Sequence, residues 1–192
     1  FIYWICVIFF GLIVTLMTIF LIRYRRRSEQ DTTPRIIHST LLEVGWTIVP
    51  LLLTVVMFFW GFDRYMKMRV SPRPAMEIQV TAQRWVWTFT YSDGTVVKTN
   101  IAVPVGEPVR LIMTSKDVIH SFFVPAFRQK QDVLPNRYTT TWFQATKVGD
   151  YPLFCAEYCG QGHSAMLGTV RVMERDKLSE WLSTGGLGDL SK

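Results

Sequence analysis

The chain has 192 residues, of which 49% are hydrophobic. The hydrophobic residues are concentrated in the first third, which excludes a protein that is soluble over its whole length. Its formal charge of +6 is also uneven, because arginines cluster beside the apolar segments while the remainder is close to balanced. No continuous basic face with interleaved aromatic residues is present, so composition excludes a nucleic-acid-binding protein and favours a membrane-anchored one.

The first apolar segment covers residues 1–22 and contains no charged side chain. At about 1.5 Å per residue a helix of this length spans about 33 Å, enough for the roughly 30 Å hydrocarbon core of a bilayer. The core of a signal peptide is shorter, about 7 to 15 residues. We therefore predict a transmembrane helix at residues 1–22. Since the sequence opens with Phe1 inside this segment, we also expect it to be processed or incomplete at its start.

A second uncharged run covers residues 44–62. Pro50 lies near its start, where a missing N–H group costs least. Trp46 and Trp60 lie near its two ends, as interfacial anchors do. We therefore predict a second transmembrane helix at residues 44–66.

The loop between the two runs, residues 23–43, is rich in arginine. Its five arginines are Arg23, Arg25, Arg26, Arg27 and Arg35. Because positively charged loops stay in the cytoplasm, we expect the N-terminus and everything after residue 66 on the opposite side of the membrane. A buried hairpin of two core helices is the alternative, but the lengths of the runs and the flanking arginines favour the membrane.

After Met76 the hydrophobic pattern changes to a period of two, which predicts strands. The first strand has one aromatic face, formed by Trp85, Trp87, Phe89 and Tyr91, and Asp93-Gly94 is a hairpin signal. Further strands are predicted at 95–102, 108–115, 119–124, 137–144, 149–154 and 168–173. Many short strands without intervening helices favour a β sandwich or barrel. Residues 175–192 are predicted to hold a short helix and a linker-like tail.

Four possible metal ligands lie within twelve residues: Cys155, Cys159, His163 and Met166. His120 precedes them, at the end of a predicted apolar strand. Thiolate, imidazole and thioether ligands together suit copper, and methionine is not a zinc ligand. A mononuclear blue-copper site needs only one cysteine, so the second cysteine indicates a site in which two thiolates bridge two copper ions.

Other interpretations of these residues stay open at this point. Cys155 and Cys159 could form a structural disulfide on the outer side of a membrane, or a Cys2His2 zinc site with the two histidines. Met166 alone could be part of the core, and His120 alone could be a hydrogen-bonded structural histidine.

The cysteine segment matches the pattern C-x-E-x-C-G-x-x-H-x-x-M, and His120 begins the pattern H-S-F-x-x-P. Trp85-Val86-Trp87 and residues 43–50 add an aromatic strand and the start of the second apolar run. On these motifs the chain resembles subunit II of cytochrome c oxidase over nearly its whole length. The resemblance implies a two-helix transmembrane hairpin followed by an all-β, cupredoxin-like Greek-key sandwich, with the copper domain at residues 70–174.

The resemblance also implies a binuclear copper centre of the CuA type. His120 and His163 would each bind one copper ion, and Cys155 and Cys159 would bridge both. Met166 would be a weak ligand to one ion, and Glu157 would bind the other through its backbone carbonyl. In this family the side chain of the same glutamate reaches a magnesium ion shared with subunit I, which implies a Glu157–Mg contact here.

Two more residues acquire roles from the resemblance alone. Trp85 matches the position where electrons arrive from cytochrome c, whereas its alternation pattern would place it in an aromatic core stripe. Glu43 matches the glutamate at the mouth of a proton-uptake channel into subunit I, whereas a carboxylate at this place could simply complement the helix dipole. Arg84 departs from the family pattern, which commonly has glutamine there.

The function implied is that of the electron-transfer subunit of a proton-pumping cytochrome c oxidase in the inner or plasma membrane of a prokaryote. Electrons from cytochrome c, a separate protein or a fused haem c domain, would pass through the copper centre to haem in subunit I, where oxygen is reduced to water. Other oxidase subunits are the expected partners. The alternative functions are a membrane-tethered copper chaperone, which would have a thioredoxin-like fold, and a nitrous-oxide-reducing enzyme, which would need a separate catalytic domain.

Overall fold

The computed structural model describes residues 1–32 and 38–186. The chain divides into two compact units, Phe1–Thr54 and Val55–Lys192. Arg35 of the predicted arginine-rich loop and residues 187–192 of the predicted tail lie outside the described residues.

Two long helices, α1 (Ile2–Arg23) and α2 (Thr40–Arg69), form the apolar first third of the chain. Both are long and apolar enough to cross a bilayer, with mean hydropathy of 3.0 and 2.1 in their most apolar windows. None of their side chains is buried by the described part of the chain, as expected for helices whose apolar surfaces face lipid or other subunits.

The second helix differs from the predicted span at both ends. α2 begins four residues before residue 44 and ends three residues after residue 66. Glu43 therefore lies in its first turn, where a carboxylate complements the helix dipole. Pro50 lies in the interior of α2 instead of near its start, and α2 continues through it.

Ten strands follow in the described part of the chain, and they form two five-stranded sheets. The strands are β1 (Met76–Gln83), β2 (Val86–Tyr91), β3 (Val96–Lys98), β4 (Asn100–Pro104), β5 (Pro108–Ser115), β6 (His120–Val124), β7 (Gln129–Val133), β8 (Thr139–Gln144), β9 (Gly149–Cys155) and β10 (Leu167–Met173). The first sheet has the order β3-β2-β1-β5-β8 and the second has the order β4-β10-β9-β6-β7. The chain crosses between the sheets, because β4 belongs to the second sheet while β3 and β5 belong to the first. The prediction of two apolar helices followed by a sandwich is confirmed.

The core of the sandwich forms because apolar residues alternate along the strands and meet between the sheets. Trp87 and Phe89 of β2 and Leu111 of β5 are fully buried from the first sheet, and Phe122 and Leu153 face them from the second. Each fully buried side chain of this size contributes about 1.5–3 kcal/mol to folding.

Three predictions about strands need correction. The predicted strand 95–102 is two strands in different sheets, because Thr99 adopts a left-handed backbone (φ 68°) between β3 and β4. Strand β7, whose side chains are largely polar, was not predicted. His120 lies at the first residue of β6 and not at the end of an apolar strand.

Trp85 does not belong to the aromatic face predicted for its strand. It lies with Arg84 in the turn between β1 and β2, and its side chain is 41% exposed, while Trp87, Phe89 and Tyr91 are buried. Alternation therefore holds only from Val86, where β2 begins.

The Tyr91 hydroxyl joins the two sheets. It donates to the carbonyl of Ala102 (2.8 Å) and accepts from the N–H of the same residue (2.9 Å), so a side chain of β2 supports the backbone of β4. Burial raises the pKa of Tyr91 well above its usual value, so the hydroxyl remains protonated and able to donate. Helix α3 (Arg175–Ser183) packs nearby, with Trp181 edge-on to Tyr91 at 5.9 Å between ring centroids.

We predict that Tyr91→Phe destabilises the β domain by about 1–3 kcal/mol, because it leaves a buried backbone N–H of Ala102 without a partner. Urea unfolding of a fragment of residues 70–192 measures the change. Tyr138→Phe is the matched control, since that side chain is 73% exposed, and it should leave the unfolding midpoint unchanged. Equal midpoints for all three proteins would contradict a structural role for the Tyr91 hydroxyl.

Candidate metal centre

The proposed ligands come from two neighbouring strands and one loop. His120 is the first residue of β6, and Cys155 is the last residue of β9, the strand beside it. The chain then loops through Cys159 to a short 3-10 turn that begins at His163, and Met166 immediately precedes β10. The backbone N–H of Ala156 donates to Ser121, which ties the start of the loop to β6.

The two cysteine sulfurs lie side by side without a bond between them. The Sγ atoms of Cys155 and Cys159 are 3.8 Å apart and both cysteines are free, whereas a disulfide requires about 2.05 Å. Two metal–thiolate bonds of about 2.3 Å each can span 3.8 Å, so one ion can bind both sulfurs. The spacing therefore fits thiolates that share metal ions.

Each sulfur has its own imidazole. Nδ1 of His120 lies 3.9 Å from the Cys155 sulfur, and Nδ1 of His163 lies 3.5 Å from the Cys159 sulfur. The four donors therefore form two similar pairs, each with one thiol and one imidazole. A mononuclear blue-copper site uses two imidazoles and one thiolate, so it would leave one of the two cysteines without a role.

Two weaker donors complete the group. Sδ of Met166 lies 3.9 Å from the Cys159 sulfur, and the backbone carbonyl of Glu157 lies 3.3 Å from the Cys155 sulfur. All six predicted ligands thus converge at one end of the sandwich. Thiolates, imidazoles and a thioether in one set suit copper, which fits the residues present, and the thioether has no place in a zinc site.

The sulfurs lie in a largely dry environment. Cys155 and Cys159 are 8% and 2% exposed, and His120 and Met166 are fully buried. Burial and the neighbouring Cys155 raise the pKa of the Cys159 thiol to about 11. Because metal ligands must be deprotonated, a metal ion that binds here has to displace protons from the thiols.

Asp117 is a residue that sequence reasoning missed. Its Oδ1 lies 2.8 Å from Nε2 of His120, on the ring nitrogen opposite the one that faces Cys155. It also accepts hydrogen bonds from the N–H groups of Arg84 (2.8 Å) and Val118 (2.7 Å). Burial alone would raise the pKa of Asp117, but the hydrogen bonds from His120 and the two N–H groups outweigh it and lower the pKa to about 2.

This carboxylate therefore orients His120. A metal-binding histidine commonly donates its other N–H to a carboxylate, which fixes the ring and strengthens the ligand. The only sequence signal was an aspartate three residues before the histidine, and that signal alone is too common to be specific.

Two tryptophans pack against the centre, one of them buried and the other exposed. The buried Trp87 ring meets His120 edge-on, with 6.2 Å between ring centroids. The exposed Trp85 ring lies directly on the cysteine loop, so close that a Cβ atom at Gly162 would stand 2.4 Å from its Cδ2 atom. The loop therefore needs glycine at position 162 to keep Trp85 where it is.

The remaining predicted residues are placed apart from the buried donors. The side chain of Glu157 is exposed, although its carbonyl faces the sulfurs. Glu43 belongs to the first unit of the chain and is not among the residues gathered here.

Two family models match the chain. Residues 1–63 match the description "Cytochrome C oxidase subunit II, transmembrane domain", and residues 95–173 match "Cytochrome C oxidase subunit II, periplasmic domain". Together they cover both units of the chain, and the second includes all six predicted ligands.

Individual proteins agree with these matches. Cytochrome c oxidase subunit 2 of Thermostichus vulcanus is 30% identical over 85% of this chain and 66% of its own length. The corresponding protein of Alkalihalophilus pseudofirmus is 33% identical over 85% of this chain and 50% of its own length, so the chain spans between half and two thirds of these two relatives.

A solved structure is also similar. The crystal structure of the periplasmic domain of subunit II of cytochrome oxidase from Bradyrhizobium japonicum is 30% identical, with a TM-score of 0.58. It covers 61% of this chain, and this chain covers 97% of it. That crystal structure is of the periplasmic domain by itself.

We predict that Asp117→Asn weakens copper binding by about 10- to 100-fold, because the loss of the carboxylate leaves His120 less basic and less well oriented. Competition with a copper chelator, followed by the copper retained on the protein, measures the affinity. Asp150→Asn is the matched control, since it alters only a surface ion pair with Arg171 and should leave the affinity unchanged. Equal affinities for the two variants would contradict an orienting role for Asp117.

Proposed function

Because the chain belongs to the cytochrome c oxidase subunit II family, we propose that it is the electron-accepting subunit of a haem-copper terminal oxidase. It is a two-pass membrane protein, and the β domain would lie on the periplasmic or outer side of a prokaryotic membrane. The observation that carries the proposal is the pair of free thiols 3.8 Å apart, each with an imidazole beside it.

The residues that would hold the cofactor are the six gathered donors. Cys155 and Cys159 would bridge two copper ions, with His120 and His163 as terminal ligands, and the Met166 sulfur and the Glu157 carbonyl as weak ones. When bound, this copper pair would accept and release one electron at a time, with the charge shared between both ions.

The protein's own contribution is to hold the six donors in fixed positions and to exclude water from them. His120 and Cys155 sit on adjacent strands of one sheet, and Asp117 fixes the His120 ring. Close packing around fully buried His120 and Met166 leaves the ligands little freedom to move. A site that changes shape little when its charge changes has a low barrier to electron transfer.

Trp85 is the residue proposed to receive electrons from the donor. Its ring is exposed to an approaching protein and at the same time packed against Gly162 of the cysteine loop, which carries four of the six donors. An exposed aromatic ring is also a good anchor for a protein partner. Cytochrome c, separate or fused as a haem c domain, is the proposed donor.

Other roles extend to the rest of the oxidase. The exposed carboxylate of Glu157 would bind a magnesium ion shared with subunit I. Glu43, in the first turn of α2, would mark the mouth of a proton-uptake channel. Haem in subunit I would receive the electrons, and oxygen reduction there would be coupled to proton pumping.

The fold counts against the alternative of a copper chaperone. A thioredoxin-like chaperone has helices between its strands, whereas the described strands here are joined by turns, loops and two short 3-10 segments. The upstream position of His120 also differs from the downstream histidine of such proteins.

The main test is copper loading of a purified fragment of residues 70–192. We predict two copper ions per chain, a purple colour and a mixed-valence paramagnetic resonance signal coupled to two equivalent copper nuclei. Since Cys6 lies outside the fragment, thiol titration before loading should give two free thiols.

Cys159→Ser is the control for this experiment, because it removes one bridging sulfur and should abolish the two-copper signal. One copper ion per wild-type chain, or no free thiol before copper is added, would refute the proposed centre.

We further predict that Trp85→Ala slows electron transfer from cytochrome c by at least about 10-fold, equivalent to about 1.4 kcal/mol in the barrier, while the copper spectrum is unchanged. Stopped-flow oxidation of reduced cytochrome c by the oxidase measures the rate. Val96→Ala is the control, because it alters an exposed side chain on β3 and should have no effect. An unchanged rate in the Trp85 variant would rule out its role in electron uptake.

A further inference from the structure

A cavity of about 680 Å³ lies beside the segment that joins α2 to the β domain. All of its lining residues belong to the second unit of the chain. The side chains that matter here are Arg69, Arg73, Glu77, Arg110, Thr140 and Trp142. None of them is a predicted copper ligand, so the cavity is separate from the metal centre.

The cavity carries an excess of positive charge. Arg110 is paired with Glu77 at 2.8 Å, and Glu77 is the only acidic side chain among the described residues that line the cavity. Arg69 donates only to neutral oxygens, those of Tyr65 (3.2 Å) and Gln131 (3.1 Å). Arg73 is exposed and forms no ion pair within residues 1–32 and 38–186. Three arginines against one carboxylate leave a net charge of +2.

A neutral donor lies in the same wall, because the Thr140 side chain is exposed. A ligand with several acceptor oxygens would therefore find arginine forks and a hydroxyl in one place. Arginine binds phosphate groups through paired N–H donors, which makes phosphate a better match than a single carboxylate.

The position of the cavity relates it to the membrane surface. The last residue of the uncharged run in α2 is Phe62, and Arg69 follows seven residues later, about 10 Å further along a helix. The headgroup layer on each side of a bilayer is about 5–8 Å thick. Arginine side chains reach back towards this layer, and the Arg69 guanidinium group does so by donating to Tyr65 one turn earlier, which would place it at headgroup height.

We propose that this cavity binds the phosphate headgroup of an anionic phospholipid from the leaflet on the side of the β domain. The excess charge and the height at the membrane surface together favour a lipid over a free anion. The bound lipid would tie the residues that follow α2 to the bilayer. This site depends on insertion of α2 in a membrane but not on the copper chemistry.

The test uses the full chain purified in detergent and titrated with dioleoylphosphatidylglycerol, with bound lipid counted by native mass spectrometry. Each arginine near an anionic surface adds to the affinity for an anionic lipid. Arg73→Gln should therefore weaken binding about 5-fold, and the double variant Arg69→Gln/Arg73→Gln should weaken it about 30-fold. Lys98→Gln is the matched control, since it removes one exposed cation from β3 and should leave the affinity unchanged.

Three results would overturn the proposal. Dioleoylphosphatidylcholine could bind as tightly as the anionic lipid, inorganic phosphate could compete at equal concentration, or Lys98→Gln could weaken binding as much as Arg73→Gln. Thermal unfolding of each variant shows that the fold is retained. The copper spectrum of each variant should match that of the wild type, so a failure here is distinguishable from a failure of the proposed electron-transfer function.

Discussion

Two buried thiols held 3.8 Å apart are the constraint on which the rest of the metal centre depends. Sulfurs this close would repel each other if both were ionised in a dry site, and burial together with the neighbouring Cys155 favours the protonated form of Cys159. Positive ions placed against both sulfurs remove this penalty. Cys155 and the loop that follows it hold the two sulfurs too far apart for a disulfide and close enough to share an ion.

The sandwich supplies that precision by dividing the work between its parts. The second sheet places His120 and Cys155 on adjacent strands, and the loop before β10 places the other donors around them. The first sheet contributes support, with the Trp87 ring against His120. Asp117 lies in the segment that joins β5 of the first sheet to β6 of the second. Its carboxylate connects the two sheets, because it forms hydrogen bonds with the backbone N–H of Arg84 and with the His120 ring. Rigid strands thus hold His120 and Cys155, and a glycine-containing loop positions the other four donors around them.

The sequence alone was sufficient for the class of fold, the family and the convergence of the donors, because ligand types at fixed spacing are a specific signal. It failed where the local backbone conformation determines where a strand begins or ends. Alternation predicted Trp85 to be in the core, but the strand begins one residue later, and the left-handed Thr99 divides a predicted strand in two. Asp117 could not be identified because its role arises only from its position behind His120. The roles of Trp85 and Glu43 stay predictions, since they concern partner proteins.

The contact between Trp85 and Gly162 has a consequence for how the molecule responds to a bound partner protein. A ring that rests directly on a backbone with no side chain between them transmits pressure to that backbone. A protein that lands on the indole thereby pushes on the same segment that carries His163 and Met166. A partner bound at Trp85 would therefore be coupled mechanically to two of the proposed ligands in the interior.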